Sequence, residues 1–422
     1  MKKILSILLA VTLVLGTAGL ALAEAPNTEL SGKLVVWSSG DELSRFVEGF
    51  NKVYPNIQVE ITVIPNSDFL AKLEPAMASG QGAPDVFTGE SDYVKYLVNT
   101  SLWDDLTKEP YNAGQYLDNI WDYVKSVGTD ANGILKALSW QASPGSIIYR
   151  RDIAEKYLGT GDPAQVGAML TSNEKMLEVA EKLKSGSNGS VKMFATWQDI
   201  FNMQFSNRAT PWVQDGKLII DQSMVDFFDV AKSIAANGYD IHTDPWSAEW
   251  SAAVEGDEVF CYVLPTWGYQ FLIKPSAVNT KGKWGLCQSP VPYVKGGTWL
   301  GVASNSQHKD LAWAFVEYVT CNTQALQAYA SQYGEYVSNK AADEALAKEA
   351  GEEVLAGQNL YAFYSEQMAK IPGDCMTAYD QQINSAYLTA VKAYAYDGMS
   401  LEDALKQFKS DVLNAYPDLI VE

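Results

Sequence analysis

Acidic and hydroxyl side chains follow two of the predicted strands, where they could bind a ligand rich in hydroxyl groups. Carboxylates form paired hydrogen bonds with neighbouring hydroxyls, and an indole packs against the C–H face of a sugar ring. In open α/β sheets, ligands bind where loops converge at the carboxyl ends of the strands. The segments 38–42 and 88–93 come directly after such strands. They contain the first candidate ligand-binding residues: Ser39, Asp41, Glu42, Glu90 and Asp92.

A second group of candidates surrounds two tryptophans near glycine-rich turns. Trp267 lies in a Pro-Thr-Trp-Gly turn, where a tryptophan without a burial reason is uncommon. The segment 296–299 reads Gly-Gly-Thr-Trp, and its glycines leave backbone amides open to hydroxyl groups. Residues 140–143 lie at a predicted crossing between two halves of the chain. These segments complete the predicted ligand-binding set: Gln141, Ser143, Trp267, Gly297, Thr298 and Trp299.

Most of these residues also have an ordinary structural interpretation. Asp41 precedes a predicted helix and could cap it, and any exposed acid could simply be solvated. The chain has 12 Trp and 23 Tyr, more than packing alone requires. Trp37, Trp103 and Trp121 are predicted to be structural. Some members of a further group should face the ligand, although the sequence does not indicate which: Trp197, Trp212, Trp246 and Trp250.

The first 23 residues have the pattern of a cleaved secretory signal peptide. Lys2 and Lys3 precede an apolar run that ends in Ala-Leu-Ala before Glu24. A membrane anchor is the alternative, because the run is nearly long enough to span a bilayer. No cysteine lies near the cleavage point, so a lipid anchor is not indicated. We therefore expect a periplasmic or extracellular protein.

Charge and composition disfavour several classes of function. The net charge of −20 argues against nucleic acid or an anionic membrane as a partner. Two histidines and four cysteines without metal-ligand spacing predict no metal site and no cofactor. Cys261 and Cys287 could form a disulfide or remain buried thiols.

Common hydrolase and nucleotide-binding motifs are absent from the sequence, so we predict a binding protein and no enzyme. We also expect this protein to be a monomer. A secreted glycoside hydrolase, which needs two carboxylates, is the alternative from another class.

Hydrophobic periodicity predicts an α/β architecture. Strands over 33–37, 57–63 and 85–87 alternate with helices over 41–54 and 69–77, an order that indicates a parallel sheet with helices on its faces. Further strands are predicted over 258–264 and 284–292, and the last hundred residues are predicted to be helical. About four hundred residues are too many for one core and suit two lobes.

Seven segments, in order along residues 33–415, resemble family 1 extracellular solute-binding proteins, the maltose-binding-protein-like components of ABC-type carbohydrate importers. Each segment alone is a weak match, and their common order carries the resemblance. The segments are KLVVWSSGDE, FVEGFNKVYPNIQVEI, APDVF, SIIYRRDIAEKYLG, PTWGYQ, LCQSPVPY and GGTWLGVASNSQHKDLAWAFVEYVT.

The resemblance implies a two-lobe periplasmic-binding-protein fold of type II. Each lobe would hold a mainly parallel sheet flanked by helices, and two or three hinge strands would let the lobes close over a ligand. The signal peptide would be 1–23, the first lobe 32–142 plus 297–345, and the second 143–296 plus 346–422. The implied function is capture of a sugar or oligosaccharide and its delivery to an ABC permease. A polyamine or another small solute is the alternative ligand.

The resemblance also bears on individual site residues. Ser39, Asp41, Glu42 and Asp92 match loop positions that contact sugar in the family, and Trp267 matches an indole that stacks on sugar. Ser143 departs from the family pattern, since maltose-binding relatives have an acid there. This departure argues against maltose as the ligand.

Overall fold

The computed structural model describes residues 28–371 and 376–421. The predicted signal peptide and Cys375 lie outside these residues. The strands are β1 (Gly32–Ser38), β2 (Ile57–Val63), β3 (Val86–Glu90), β4 (Leu138–Ser139), β5 (Gly145–Arg150), β6 (Lys192–Phe194), β7 (Val213–Gln214), β8 (Lys217–Leu218), β9 (Val259–Pro265), β10 (Trp284–Cys287) and β11 (Thr298–Val302).

Helices separate most of these strands and cover the sheets. They are α1 (Ser44–Val53), α2 (Phe69–Ser79), α3 (Val94–Val98), α4 (Asp122–Val127), α5 (Arg151–Leu158), α6 (Pro163–Met169), α7 (Asn173–Gly186), α8 (Gln198–Ser206), α9 (Gln222–Asn237), α10 (Ala248–Ala252), α11 (Thr266–Gly268), α12 (Lys274–Ser276), α13 (Lys309–Thr320), α14 (Thr323–Tyr333), α15 (Lys340–Leu346), α16 (Leu360–Met368), α17 (Asp380–Ala395) and α18 (Leu401–Ala415). Shorter helical turns occur at Asn66–Asp68, Ala113–Asn119 and Tyr269–Ile273.

Two sheets organise the described chain, in the strand orders β2-β1-β3-β11-β4 and β10-β5-β9-β6. The predicted α/β architecture with helix-flanked sheets is confirmed, but the sheets are mixed and not mainly parallel. β1 is parallel to β2 and β3, whereas β11 is antiparallel to β3 and β4. β11 begins beside the end of β3, with Thr298 opposite Glu90, because the chain enters this sheet directly from the other one. A strand that enters the sheet beside the carboxyl end of β3 must run in the direction opposite to β3.

The second sheet shows the same effect. β5 starts where β9 ends, with Gly145 opposite Pro265, and therefore runs antiparallel to β9, while β6 is parallel to it. β10 ends at Cys287, five residues before the predicted end of its strand at 292. The following segment contains Pro290 and Pro292, which lack the N–H group that a sheet ladder needs.

Two described chain segments, which lie side by side, connect the two sheets. Residues 140–144 lead from β4 to β5, and residues 288–297 lead from β10 to β11. The two crossings are hydrogen-bonded to each other, since the Lys295 N–H donates to the Ser143 carbonyl (3.1 Å). A third segment joins them where Ala142 N–H donates to the Tyr336 carbonyl (3.2 Å). This ladder of backbone hydrogen bonds holds the two crossings together between the two halves.

Two apolar cores are present in the described chain: the first covers the first sheet and extends onto one face of the second sheet, through Tyr262 and Trp284, and the second covers the other face of the second sheet. The predicted stripe of α1 packs inside the first core, where Phe50 meets Phe315 of α13 edge-on with centroids 5.2 Å apart. The second core combines β5 and β9 with α9, α17 and α18. Residues after 345 divide between the cores, because Tyr361 and Tyr364 of α16 pack in the first core. The lobe boundaries given above remain a prediction.

Cys261 and Cys287 are free, buried thiols. Their strands, β9 and β10, lie on opposite sides of β5. Two strand spacings amount to roughly 9–10 Å, beyond the Cα separation that a disulfide spans. Within residues 28–371 and 376–421, no helix is long and apolar enough to cross a membrane.

Candidate functional site

A cavity of about 370 Å³ lies beside the ladder that connects the two sheets. Asp92, two residues beyond β3, lines it from the first half of the molecule, and Lys295 of the second crossing lies next to Asp92. The remaining lining comes from the second half: α8, the segment before α10, the turn after β9, and α17. The cavity therefore lies at the junction of the two halves, at the carboxyl ends of β3 and β9.

Three indoles form the aromatic part of this cavity. Trp267 is half-buried in the single turn α11, and its Nε1 donates to the Lys295 carbonyl (2.8 Å). Trp246 stacks on Trp267 with centroids 5.6 Å apart and an interplanar angle of 24°. Trp246 is 59% exposed, the most exposed of the large aromatic side chains described. Trp250 is buried behind Trp246, at a centroid distance of 5.3 Å.

Ser39, Glu90 and Thr298 form one hydrogen-bonded cluster across the first sheet. Both hydroxyls donate to Oε1 of Glu90, Thr298 Oγ1 at 2.8 Å. Burial raises the pKa of Glu90 to about 7, against the opposing effect of these two hydrogen bonds. The cluster joins the ends of β1, β3 and β11. Its polar atoms are largely engaged with one another.

The remaining acids of the first half are placed differently. Asp92 accepts a hydrogen bond from Lys295 Nζ (2.8 Å), forming an ion pair between the first half and the second crossing. Asp41 is exposed and lies 3.8 Å from Arg45. Its side chain makes no capping hydrogen bond to α1, so the capping interpretation is not observed. Glu42 is half-buried in the same loop.

Gln141 and Ser143 belong to the connecting ladder beneath Trp267. Gln141 Nε2 donates to Oε2 of Glu335 (2.9 Å), and Glu335 also accepts from Arg45 (3.1 Å) and from the Tyr329 hydroxyl (2.7 Å). Burial raises the pKa of Glu335, against the lowering effect of these partners. Ser143 is buried at the first crossing. These residues fix the geometry of the connection, and sequence reasoning missed Glu335.

The Gly-Gly loop passes close to the Trp267 indole. Gly296 and Gly297 have positive φ angles of 87° and 103°. A Cβ atom at Gly296 would come within 2.7 Å of Trp267 Nε1. The glycines therefore allow the second crossing to pass against the Trp267 indole. The Gly297 carbonyl accepts from Ser91 N–H (3.0 Å), which anchors the loop to the end of β3.

The prediction that Trp299 contacts ligand is wrong in this structure. Trp299 is 0% exposed, and its Nε1 donates to the Val124 carbonyl (2.9 Å). Its indole packs edge-on against Tyr123, with centroids 5.8 Å apart. It belongs to the first core because β11 is a central strand covered on both faces. Among the undecided tryptophans, Trp197 and Trp212 are core residues, whereas Trp246 and Trp250 line the cavity.

Several lining residues were not predicted from sequence. Asp199 follows strand β6 by five residues, so the strand-end rule applied to β6 would have found it. Amide side chains accompany it on α8 and on α17. They are Gln198, Asn202, Gln381 and Asn384. Among the described residues, no group of three or more His, Cys, Asp or Glu side chains could hold a metal ion.

Two helix-flanked sheets, a hydrogen-bonded connection and an aromatic cavity at their junction define a two-lobe binding-protein fold. Residues 45–355 match the family model for bacterial extracellular solute-binding proteins. The match covers most of the chain, and the chain belongs to this family. Proteins of this family bind solutes for transport, so the chain is a solute-binding protein and not an enzyme, and the hydrolase alternative is set aside.

Solved structures share the fold at low sequence identity. An extracellular solute-binding protein of family 1 superposes with a TM-score of 0.80 at 16% identity, covering 91% of this chain and 99% of its own. The galacto-N-biose-/lacto-N-biose I-binding protein of the ABC transporter from Bifidobacterium longum gives 0.72 at 18% identity, covering 93% and 99%. The GacH receptor of Streptomyces glaucescens, solved unliganded and with acarbose, gives 0.72 at 16% identity, covering 93% and 100%.

Proposed function

We propose that this protein is the extracytoplasmic substrate-binding component of an ABC transporter. It captures a sugar or oligosaccharide in the cavity between its lobes and delivers it to a membrane permease. The lobes correspond to residues 32–142 plus 297–345 and 143–296 plus 346–422. The cleaved form begins after residue 23 and acts as a monomer outside the cytoplasm.

The observation that carries this proposal is the combination of stacked indoles with amide side chains in one cavity. Trp246 and Trp267 offer flat apolar faces, and the amides of α8 and α17 offer both hydrogen-bond donors and acceptors. Sugars present both an apolar ring face and a rim of hydroxyls. Structural neighbours described as binding acarbose or lacto-N-biose support the same class of ligand.

Closure of the lobes around the connecting ladder couples binding to transport. A ligand that contacts both lobes favours the closed arrangement by its differential affinity for it, as in a Venus flytrap. The Asp92–Lys295 ion pair lies at the cavity wall where such a ligand would meet the first lobe. Each hydroxyl hydrogen bond contributes about 1 kcal/mol and each stacked ring about the same. A dozen such contacts, less the cost of ordering, give roughly micromolar affinity.

A ligand screen tests the proposal directly. The mature chain is titrated with neutral mono- and oligosaccharides, amino sugars and polyamines, with thermal shift and tryptophan fluorescence as readouts. We expect a saturable rise in melting temperature with one family of sugars and no product formed. Binding of a polyamine and of no sugar would replace the carbohydrate with the alternative ligand. Purification in complex with permease subunits, in detergent and with the ligand added, tests the delivery step.

A further inference from the structure

Asp199 is a buried acid in the wall of the cavity that has no charged partner. It lies in the first turn of α8 and is 3% exposed. Its Oδ2 accepts a hydrogen bond from Trp250 Nε1 (3.3 Å). Within residues 28–371 and 376–421, no lysine, arginine or histidine forms an ion pair with it, and no group donates to Oδ1.

Two other buried acids, Glu335 and Asp240, have more hydrogen-bond partners than Asp199. Glu335 accepts from Arg45, Gln141 and Tyr329. Asp240 accepts from the Tyr396 hydroxyl (2.8 Å) and from Trp197 N–H (3.2 Å). Burying a carboxylate without such partners is costly. Accordingly, burial raises the pKa of Asp199 to about 8, and the neighbouring Asp240 adds to the rise.

The surroundings of Asp199 suit a cation from outside the chain. Trp250 contacts it directly, and Trp246 and Trp267 line the same cavity. Indole faces attract ammonium groups, most strongly where water is excluded. Lys295 also lines the cavity, but its charge is engaged by Asp92 at 2.8 Å. Of the two acids that line the cavity, Asp92 is therefore paired with a cation of the chain, whereas Asp199 is not.

We propose that the ligand carries a protonated primary amine that binds to Asp199 beside the indole faces. The inference rests on the proposed function and refines it, so that the ligand is an amino sugar or an oligosaccharide containing one. On binding, the Asp199 carboxyl releases its proton to solvent, and the ammonium donates to Oδ1 and supplies the missing positive charge. A polyamine presents the same group without a sugar ring.

Matched sugars that differ in one substituent test the inference. Calorimetric titrations of the mature chain compare glucose, glucosamine and N-acetylglucosamine, the galactose counterparts, and the short β-1,4 oligosaccharides of the three glucose-based units. Spermidine is included as an amine without a sugar ring. We expect the free-amine form of at least one series to bind at least tenfold more tightly than its hydroxyl and N-acetyl counterparts.

Asp199→Asn provides the matched variant, because it keeps the shape of the side chain and removes its charge. It should abolish the preference for the amine, so that the amine and hydroxyl forms bind with affinities within about twofold of each other. Asp226→Asn, at an exposed position of α9 outside the cavity, serves as the control and should retain the preference. Melting temperatures of both variants report whether the fold is intact.

The outcomes separate the inference from the function on which it rests. Equal or tighter binding of a neutral or N-acetylated sugar would overturn the role of Asp199 and leave the carbohydrate function in place. An amine preference that survives in Asp199→Asn would also overturn it. Binding of spermidine alone, lost in Asp199→Asn, would support the amine site and overturn the carbohydrate function. Failure of every ligand to bind would count against both.

Discussion

The two halves of the molecule use their polar and aromatic groups in opposite ways. In the first half, the Glu90 carboxyl is held by Ser39 and Thr298, and Asp92 is paired with Lys295. In the second half, the Trp246 indole is 59% exposed and Asp199 lacks a charged partner. Groups whose hydrogen bonds are already made contribute to the fold, whereas open groups are available to a ligand. The difference predicts that these groups of the first half act mainly on stability and those of the second half mainly on binding.

Among substitutions in the first half of the molecule, we expect Trp299→Ala to have the largest effect on stability. Trp299→Ala should lower the free energy of unfolding by about 3–5 kcal/mol, because it removes a fully buried indole and its hydrogen bond to Val124. Chemical denaturation of the purified variant measures the loss. Trp299→Phe is the matched variant, which restores most of the volume and should recover much of the stability. A loss of ligand affinity with full stability would place Trp299 back among the ligand contacts.

Glu90 should affect stability in a pH-dependent way. Its folded pKa of about 7 lies above the ordinary value of 4.5, so the folded state holds a proton that the unfolded state releases. Stability from this group is therefore present below pH 4.5 and is lost as pH rises toward 7. Glu90→Gln removes the ionisation, and the variant should be more stable than the native protein by about 1–3 kcal/mol at pH 8 and equal to it at pH 4.

Denaturation curves at several pH values measure this difference. Glu353→Gln is the control, because Glu353 is largely exposed and its substitution should leave the pH profile unchanged. If the difference in the free energy of unfolding between Glu90→Gln and the native protein did not vary with pH, the assigned effect of burial on the Glu90 pKa would be contradicted. A large loss of ligand affinity in Glu90→Gln at constant pH would show that Glu90 contributes to ligand binding.

Trp267 should give the largest effect on binding among the indoles of the second half. Trp267→Ala removes a stacking face and should weaken ligand affinity by about thirtyfold, or ~2 kcal/mol. The fold should lose less than about 1.5 kcal/mol, since the side chain is half-buried and makes one hydrogen bond, to the Lys295 carbonyl. Calorimetry with the ligand found in the screen measures the affinity.

Trp313→Ala is the matched control for Trp267→Ala. Trp313 is also half-buried, but it lies on α13 against Tyr111 and does not line the cavity. Its substitution should leave affinity unchanged. Unchanged affinity in Trp267→Ala, or collapse of that variant's fold, would show that Trp267 is structural.

The contrast between Trp267 and Trp299 also shows how far the sequence could predict this site. Alternation and helical periodicity located β2 and α1, and the strand-end rule found Asp92, which lines the cavity. Trp299 was misplaced because all five residues of β11 are buried, so the strand shows no alternation that would indicate its surroundings.

The cavity lining from the second half depends on contacts that no local pattern encodes. Gln381 and Asn384 reach the cavity because α17 packs on α9, more than a hundred residues away in sequence. Likewise, Asp199 has no cationic partner because of the side chains that other elements place around it. Sequence patterns therefore identified the strand ends that form the site but not the charges left unpaired within it.

Trp246 provides the smallest and most discriminating effect in the second half. It stacks on Trp267, so a sugar ring that uses the same face must first separate the two indoles. Trp246→Ala removes a stacking surface but also removes the cost of that separation. We therefore expect affinity to fall only about threefold to fivefold. Stability should be unchanged within about 0.5 kcal/mol, because the side chain is 59% exposed.

Stopped-flow fluorescence of Trp246→Ala should show faster ligand association than in the native protein, since the Trp267 face is already open in the variant. Slower association with a loss as large as that of Trp267→Ala would mean that Trp246 holds the ligand directly and that the two indoles act as one clamp.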